Sequence, residues 1–221
     1  MFHIKICGIT RLEDGLNAAA AGADAVGFNF CRNSPRYIEP ASAQTIGAQL
    51  PKLMLRVGVF VDATVDGIWK VFEAAKLNAI QLHGDEPPPI IAALPPNVLV
   101  LRAFRMCETG LAPLAEYIAA AAASGRAPDA VLIDAHSPHA HGGTGQTVDW
   151  QRVSEERSML GDMPLILAGG LTPRNVADAI GLAQPNGVDT ASGVETSPGI
   201  KDASMIRGFV TAAHEALAER T

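Results

Sequence analysis

The sequence predicts a (β/α)8 barrel of the TIM-barrel class, formed as one domain over residues 1–221. Three observations carry that expectation. Eight short apolar runs alternate with eight helix-like segments along the 221 residues. The apolar runs are mostly continuous, as expected of parallel strands covered on both faces. Glycine-rich turns follow the seventh and eighth runs rather than the first, where a doubly wound sheet would carry its phosphate fingerprint. No linker, charge block or low-complexity insert divides the chain.

The elements follow in order. Strand one is predicted over 3–7, ending at Cys7-Gly8, and Thr10 is a candidate cap for a helix over 12–21. Strand two (25–30) precedes a helix over 42–49, and strand three (55–61) precedes a Thr64-capped helix over 65–75. Strand four (79–82) leads to a helix over 88–94, and strand five (98–103) to an Ala-rich helix over 111–123. Strand six (130–134) is followed by a loop and a helix over 150–157. Strand seven (164–168) leads to a helix over 173–181, with Thr172 as cap and Pro173 at its first position. Strand eight (187–190) precedes the last helix, over 203–219.

Hydrophobic residues make up 48% of the chain and aromatics only 5%, which suits aliphatic strands under helices rather than a base-stacking surface. The net charge of −6, with no basic tract, argues against nucleic acid as a partner. An anionic ligand must then be held locally, by backbone amides and a few arginines. Cys7, Cys31 and Cys107 are odd in number and widely spaced, so they form neither a disulfide framework nor a zinc pattern. A cytoplasmic protein is expected. The longest apolar stretch, near 114–123, is too short and interrupted for a membrane span.

In such a barrel the chemistry sits at the C-terminal strand ends, with phosphate often bound after strands seven and eight. Strand seven is followed by Gly169-Gly170, and strand eight by Ala191-Ser192-Gly193. Gly170, Ser192 and Gly193 are the expected phosphate contacts, since small residues let a backbone approach an anion. Asp134 ends the apolar run Val131-Leu132-Ile133; partial burial would raise its pKa and keep a proton for general acid work. Cys7 shares strand parity with Lys5, whose ammonium would lower the thiol pKa. Arg36 follows strand two and can fork onto a carboxylate. His83, in Gln81-Leu82-His83-Gly84-Asp85-Glu86, is either a polar site wall or part of a helix start. Arg102, placed at the end of strand five, is expected to share the mouth. His136, His139 and His141 alternate in a Gly-rich loop; a loop tip that closes over ligand is the favoured reading, and no metal site is assigned.

Together, Lys-Ile-Cys-Gly-Ile-Thr (5–10), Ser-Pro-Arg-Tyr (34–37), Val-Gly-Val-Phe (57–60), Gln-Leu-His-Gly-Asp-Glu (81–86), Gly-Gly-Thr-Gly (142–145) with Asp149-Trp150, Ala-Gly-Gly-Leu (168–171), Ser-Gly-Val-Glu (192–195) and Pro-Gly-Ile-Lys-Asp (198–202) resemble the phosphoribosylanthranilate isomerase family. The resemblance spans nearly the whole chain. It implies a cofactor-free isomerase of tryptophan biosynthesis that performs an Amadori rearrangement of N-(5-phosphoribosyl)anthranilate. It also implies Cys7 as general base, Asp134 as general acid and Arg36 beside the anthranilate carboxylate. The ligand would be a phosphorylated small molecule, and the protein a monomer, with a homodimer as the alternative. Two departures stand out: the His-rich segment after Asp134, and Ala191 where the family more often has Ser. The rival readings are another phosphosugar barrel enzyme and a phosphometabolite-binding barrel without catalysis. A pentose-phosphate epimerase would want metal-binding His and Asp at several strand ends, and an indole-glycerol-phosphate synthase would want Lys and Glu in place of Cys and Asp. Binding alone would need neither Cys7 nor Asp134.

Overall fold

The computed structural model of the chain describes residues 1–135 and 148–219. Among them, eight parallel strands close a barrel in chain order, the last pairing with the first. They are β1 (Ile4–Cys7), β2 (Ala25–Asn29), β3 (Leu55–Phe60), β4 (Ala79–Leu82), β5 (Leu99–Met106), β6 (Ala130–Ala135), β7 (Leu165–Leu167) and β8 (Gly187–Thr190). The helices are α1 (Leu12–Ala21), α2 (Pro40–Gly47), α3 (Val65–Ala75), α4 (Ile90–Ala93), α5 (Ala112–Ala123), α6 (Trp150–Glu156), α7 (Val176–Ala183) and α8 (Ala203–Ala218). The expected fold class is the observed one.

Strand alternation divides the apolar residues into two layers. Ile4, Ile6, Val26, Phe28, Ile80 and Ile133 pack outward under the helices. Phe2, Ala25, Val57, Leu101, Leu132 and Ile166 fill the barrel itself. Each fully buried Ile, Leu or Phe stabilises the fold by about 1.5–3 kcal/mol before entropy is counted, so the outer layer is what docks the helices. Phe2 closes the barrel floor, beneath the inward-facing Lys5.

The N-terminal strand ends carry a repeated clasp. Asp24, just before β2, accepts from the amide of Ile4 at 2.9 Å. Asn78, before β4, accepts from Arg56 N at 2.9 Å, and Asp129, before β6, from Val100 N at 2.8 Å. Asn186, before β8, accepts from Leu165 N at 2.8 Å. Each even strand thus ties down the start of the odd strand before it, satisfying an amide that the ladder leaves open.

Several boundaries differ from expectation. β5 runs on to Met106 because it pairs with β6 as far as Ala135. α4 shrinks to four residues because Pro87, Pro88 and Pro89 remove three donors before it. Of the expected caps only Thr64 acts as one, accepting from Gly67 N. Thr10 instead donates to the Gly199 carbonyl, and α7 starts at Val176, past Pro173. Beyond β8 lies a structure not read from the sequence: a 3₁₀ turn (Ser192–Val194), then a hairpin of β9 (Glu195–Ser197) and β10 (Ile200–Lys201). The segment holding His136, His139 and His141, read above as a loop, lies outside the described residues.

Candidate active site

At the C-terminal ends of the strands lies a pocket of about 790 Å³, open to solvent and lined by Cys7, Arg36, His83, Asp134, Gly170, Ser192 and Gly193. Seven expected site residues therefore line one pocket. Lys5 lies beneath them, fully buried. Arg102 does not join them.

Cys7 ends β1 on its inner face. Gly27, its register partner on β2, makes room for it: a Cβ at Gly27 would come within 2.6 Å of the Cys7 sulfur and 3.1 Å of Lys5 Cε. Lys5 Nζ donates to Asp189 Oδ2 at 2.6 Å and to Gln81 Oε1 at 3.0 Å. Burial works against the Lys5 ammonium, but Asp189 and the Cys7 sulfur outweigh it and hold its pKa above the ordinary value. Burial pushes the Cys7 thiol up; Lys5 opposes this, and Asp189 adds to it. The expected lowering of the Cys7 pKa is therefore not found: burial outweighs the Lys5 ammonium, and the thiol is the resting form.

Asp134, from β6, receives His83 Nε2 at 3.2 Å on Oδ2 and the Ala135 amide at 2.9 Å on Oδ1. Burial would raise its pKa, but His83, the Ala135 amide and Arg105 together draw it below the ordinary value. This too corrects the sequence expectation: the resting group is a carboxylate. His83 is a site wall rather than a helix start.

Arg36 makes the fork foreseen for it, but within the protein. Its Nε and Nη2 reach Glu195 Oε1 and Oε2 at 2.9 and 2.7 Å. Lys201 Nζ adds a second cation, 2.8 Å from Glu195 Oε1, and also donates to the Ala191 carbonyl. Burial would raise the Glu195 pKa, yet the two cations hold it below its usual value. Glu195 and Lys201 belong to the β9–β10 hairpin, so the hairpin is what orients Arg36 toward the pocket. Their role was missed; their place in the runs 192–195 and 198–202 was the available signal.

The two glycine turns meet as expected. Gly169 and Gly170 adopt φ of 78° and 67°, open to glycine with little strain. Asn175 Nδ2 holds the Gly170 carbonyl at 3.1 Å, and the Thr190 hydroxyl donates to the Leu171 carbonyl at 2.7 Å. The 3₁₀ turn starts at Ser192, and the first amides of any helical turn lack intrahelical partners. This is a backbone cradle suited to an anion.

Arg102 is corrected. It points outward, donating to the Gly84 carbonyl and Glu86 and lying 4.7 Å over the Tyr117 ring. The inward cation of β5 is Arg105, which donates to the His83 carbonyl at 2.9 Å. Ending strand five at 103 hid this, since Arg105 sits on the opposite face from Arg102.

Residues 4–212 match the family model described as N-(5'phosphoribosyl)anthranilate (PRA) isomerase. The N-(5'-phosphoribosyl)anthranilate isomerase of Geotalea daltonii is 44% identical over 218 residues, covering 98% of this chain and 99% of that protein. The crystal structure of phosphoribosyl anthranilate isomerase from Thermotoga maritima superposes with a TM-score of 0.86 at 38% identity, covering 97% of this chain and all of that one. A phosphoribosyl anthranilate isomerase in complex with reduced 1-(o-carboxyphenylamino)-1-deoxyribulose 5-phosphate superposes with a TM-score of 0.83 at 36% identity, over 97% of this chain and all of that one. A family match over most of the chain, close relatives along its length and a shared barrel lead to one conclusion: the chain belongs to the N-(5'-phosphoribosyl)anthranilate isomerase family.

Proposed function

We propose that this barrel isomerises N-(5-phosphoribosyl)anthranilate to 1-(2-carboxyphenylamino)-1-deoxyribulose 5-phosphate, with Asp134 as general acid and Cys7 as general base. The observation that carries the assignment is that both groups line one pocket, from strands one and six of the barrel. Opening the aminated furanose requires a proton on the ring oxygen, and Asp134 supplies it. The resulting iminium acidifies the C2′ hydrogen. Cys7 as thiolate removes that hydrogen, and the enolamine tautomerises to the ketone. No step calls for a cofactor.

The protonation states give the reaction a further feature. Thiol with carboxylate carries one proton, as does thiolate with carboxylic acid. The acting pair is thus the minor arrangement of the proton count that prevails at rest. The phosphate is held by the amides around Gly170, Ser192 and Gly193, and the anthranilate carboxylate by the Arg36 face turned away from Glu195. One domain, residues 1–221, carries the whole site, and its free cysteines suit the cytoplasm. The phosphorylated small molecule is its partner.

The test is fluorescence-monitored consumption of phosphoribosylanthranilate by the wild type, Cys7→Ala and Asp134→Asn. Each variant is expected to lose at least about 10² in turnover, the lower range for one proton-transfer group, while still binding product. No consumption by the wild type overturns the function; near-normal turnover in one variant removes that residue.

A further inference from the structure

A row of side chains crosses the floor of the pocket from Lys5, beneath Cys7, to Asp134. Lys5 Nζ lies 3.0 Å from Gln81 Oε1, Gln81 Nε2 lies 2.8 Å from His83 Nδ1, and His83 Nε2 lies 3.2 Å from Asp134 Oδ2. Lys5 and Gln81 have no exposed surface. The two ends of an amide are ordinarily assigned from their surroundings, and here the surroundings decide. Lys5, paired with Asp189, is an ammonium and only donates, so the Gln81 atom facing it is the carbonyl oxygen. The other end is NH₂, which also only donates, and it faces His83 Nδ1. That nitrogen must accept, so it bears no proton. A ring without a proton on Nδ1 is neutral and keeps its proton on Nε2, directed at Asp134. An imidazolium would set N–H against N–H at 2.8 Å.

We propose that Gln81, turned by Lys5, is a positioning residue that locks His83 as the neutral Nε2–H tautomer, a fixed donor to Asp134. Every hydrogen bond in the row then points the same way, from the Lys5 cation toward the Asp134 carboxylate. Aligned donors polarise one another, and their effect is greatest where negative charge develops. As Asp134 gives its proton to the ring oxygen, the charge left behind meets a donor already in place. His83 cannot intercept that proton, because Nε2 is already protonated and Nδ1 is occupied by the Gln81 amide. The row therefore favours proton release by Asp134 toward the substrate and blocks a competing transfer to the histidine.

This inference rests on the reading of Asp134 as the acid, so its test uses a readout independent of turnover. Histidine ring nitrogens are labelled with ¹⁵N, and the His83 signals are assigned by their loss in His83→Asn. In the wild-type protein His83 should show one protonated and one bare nitrogen at neutral pH, the bare one being Nδ1. In Gln81→Glu, a carboxylate at position 81 can accept from Lys5 and from an Nδ1–H together. His83 should then become doubly protonated, turnover should fall on the order of tenfold, the low end for losing an outer-layer partner, and KM should change little. The acid limb of the pH profile should move as well, which a purely structural role for Gln81 would not produce. A wild-type His83 protonated at Nδ1 overturns the proposal, and so does a Gln81→Glu variant with unchanged ring signals and pH profile. Should that variant fail to fold, the wild-type spectrum decides alone. The expected tautomer in a protein that consumes no phosphoribosylanthranilate would sink the function and leave this assignment standing.

Discussion

Single residues here are defined by partners far away in sequence. Cys7 and Asp134 were legible as chemical groups because each ends an apolar strand, but their charge states were not. Those depend on Asp189, His83 and Arg105, which only the closed barrel brings near. The Cys7 thiol, held above its ordinary pKa chiefly by burial, should react slowly with iodoacetamide at neutral pH. Its alkylation rate should rise with a midpoint above that of a free thiol. The alkaline limb of kcat/KM should fall at the same midpoint, since above it the proposed acid–base pair loses the single proton that its scheme needs. An alkaline limb well below the alkylation midpoint would contradict the protonation scheme. Arg36→Met makes a second residue-scale case. It should raise KM more than it lowers kcat, measured by steady-state kinetics, because the role proposed for Arg36 is binding and not proton transfer. It also removes one of two cations from the buried Glu195, so thermal unfolding should show a loss of about 3 kcal/mol, the low end for breaking a buried pair. A drop in kcat alone would move Arg36 into the chemical step.

Elements were read well where an apolar run announced them and poorly where hydrogen bonds did the work. β4 and β8 fall on their expected residues, as do α1 and α3. The β9–β10 hairpin was invisible because Glu195-Thr196-Ser197 and Ile200-Lys201 contain no apolar run; it exists because Glu195 pairs with Arg36 and Lys201. The clasps at the strand starts were written in the sequence all along. Asp24-Ala25-Val26, Asn78-Ala79-Ile80, Asp129-Ala130-Val131 and Asn186-Gly187-Val188 repeat one pattern: an acceptor for an amide, a small residue facing inward, and an apolar residue facing out. Removing one acceptor strands a backbone amide. Asn78→Ala and Asp129→Ala should each cost about 1–2 kcal/mol in denaturant unfolding. They share no partner, so the double variant should equal the sum within about 0.5 kcal/mol. Strong non-additivity would mean that the clasps are coupled through the barrel.

At the scale of the whole molecule, the alternation of eight strands and eight helices was enough to predict closure, because continuous apolar strands need cover on both faces. What the alternation could not show is which contacts the last strand makes with the first. Lys5 and Asp189, 184 residues apart, form their ion pair between β1 and β8, directly beneath Cys7. Arg36 and Glu195, 159 residues apart, join the same two ends of the chain above it. The clasps, by contrast, span only 20 to 29 residues.

That difference in span bears on the order of assembly. Short-range clasps can form in any two-strand unit, whereas the Lys5–Asp189 pair must wait for the ring to shut, since long loops close late. On refolding, helical circular dichroism should recover before isomerase activity, and activity should return together with protection of the Cys7 thiol from alkylation. Activity that returned in step with helix content would refute this order. The pocket thus straddles the zipper of the barrel, the one line along which the two halves of the polypeptide fasten, and each turnover reports that the zipper is done up.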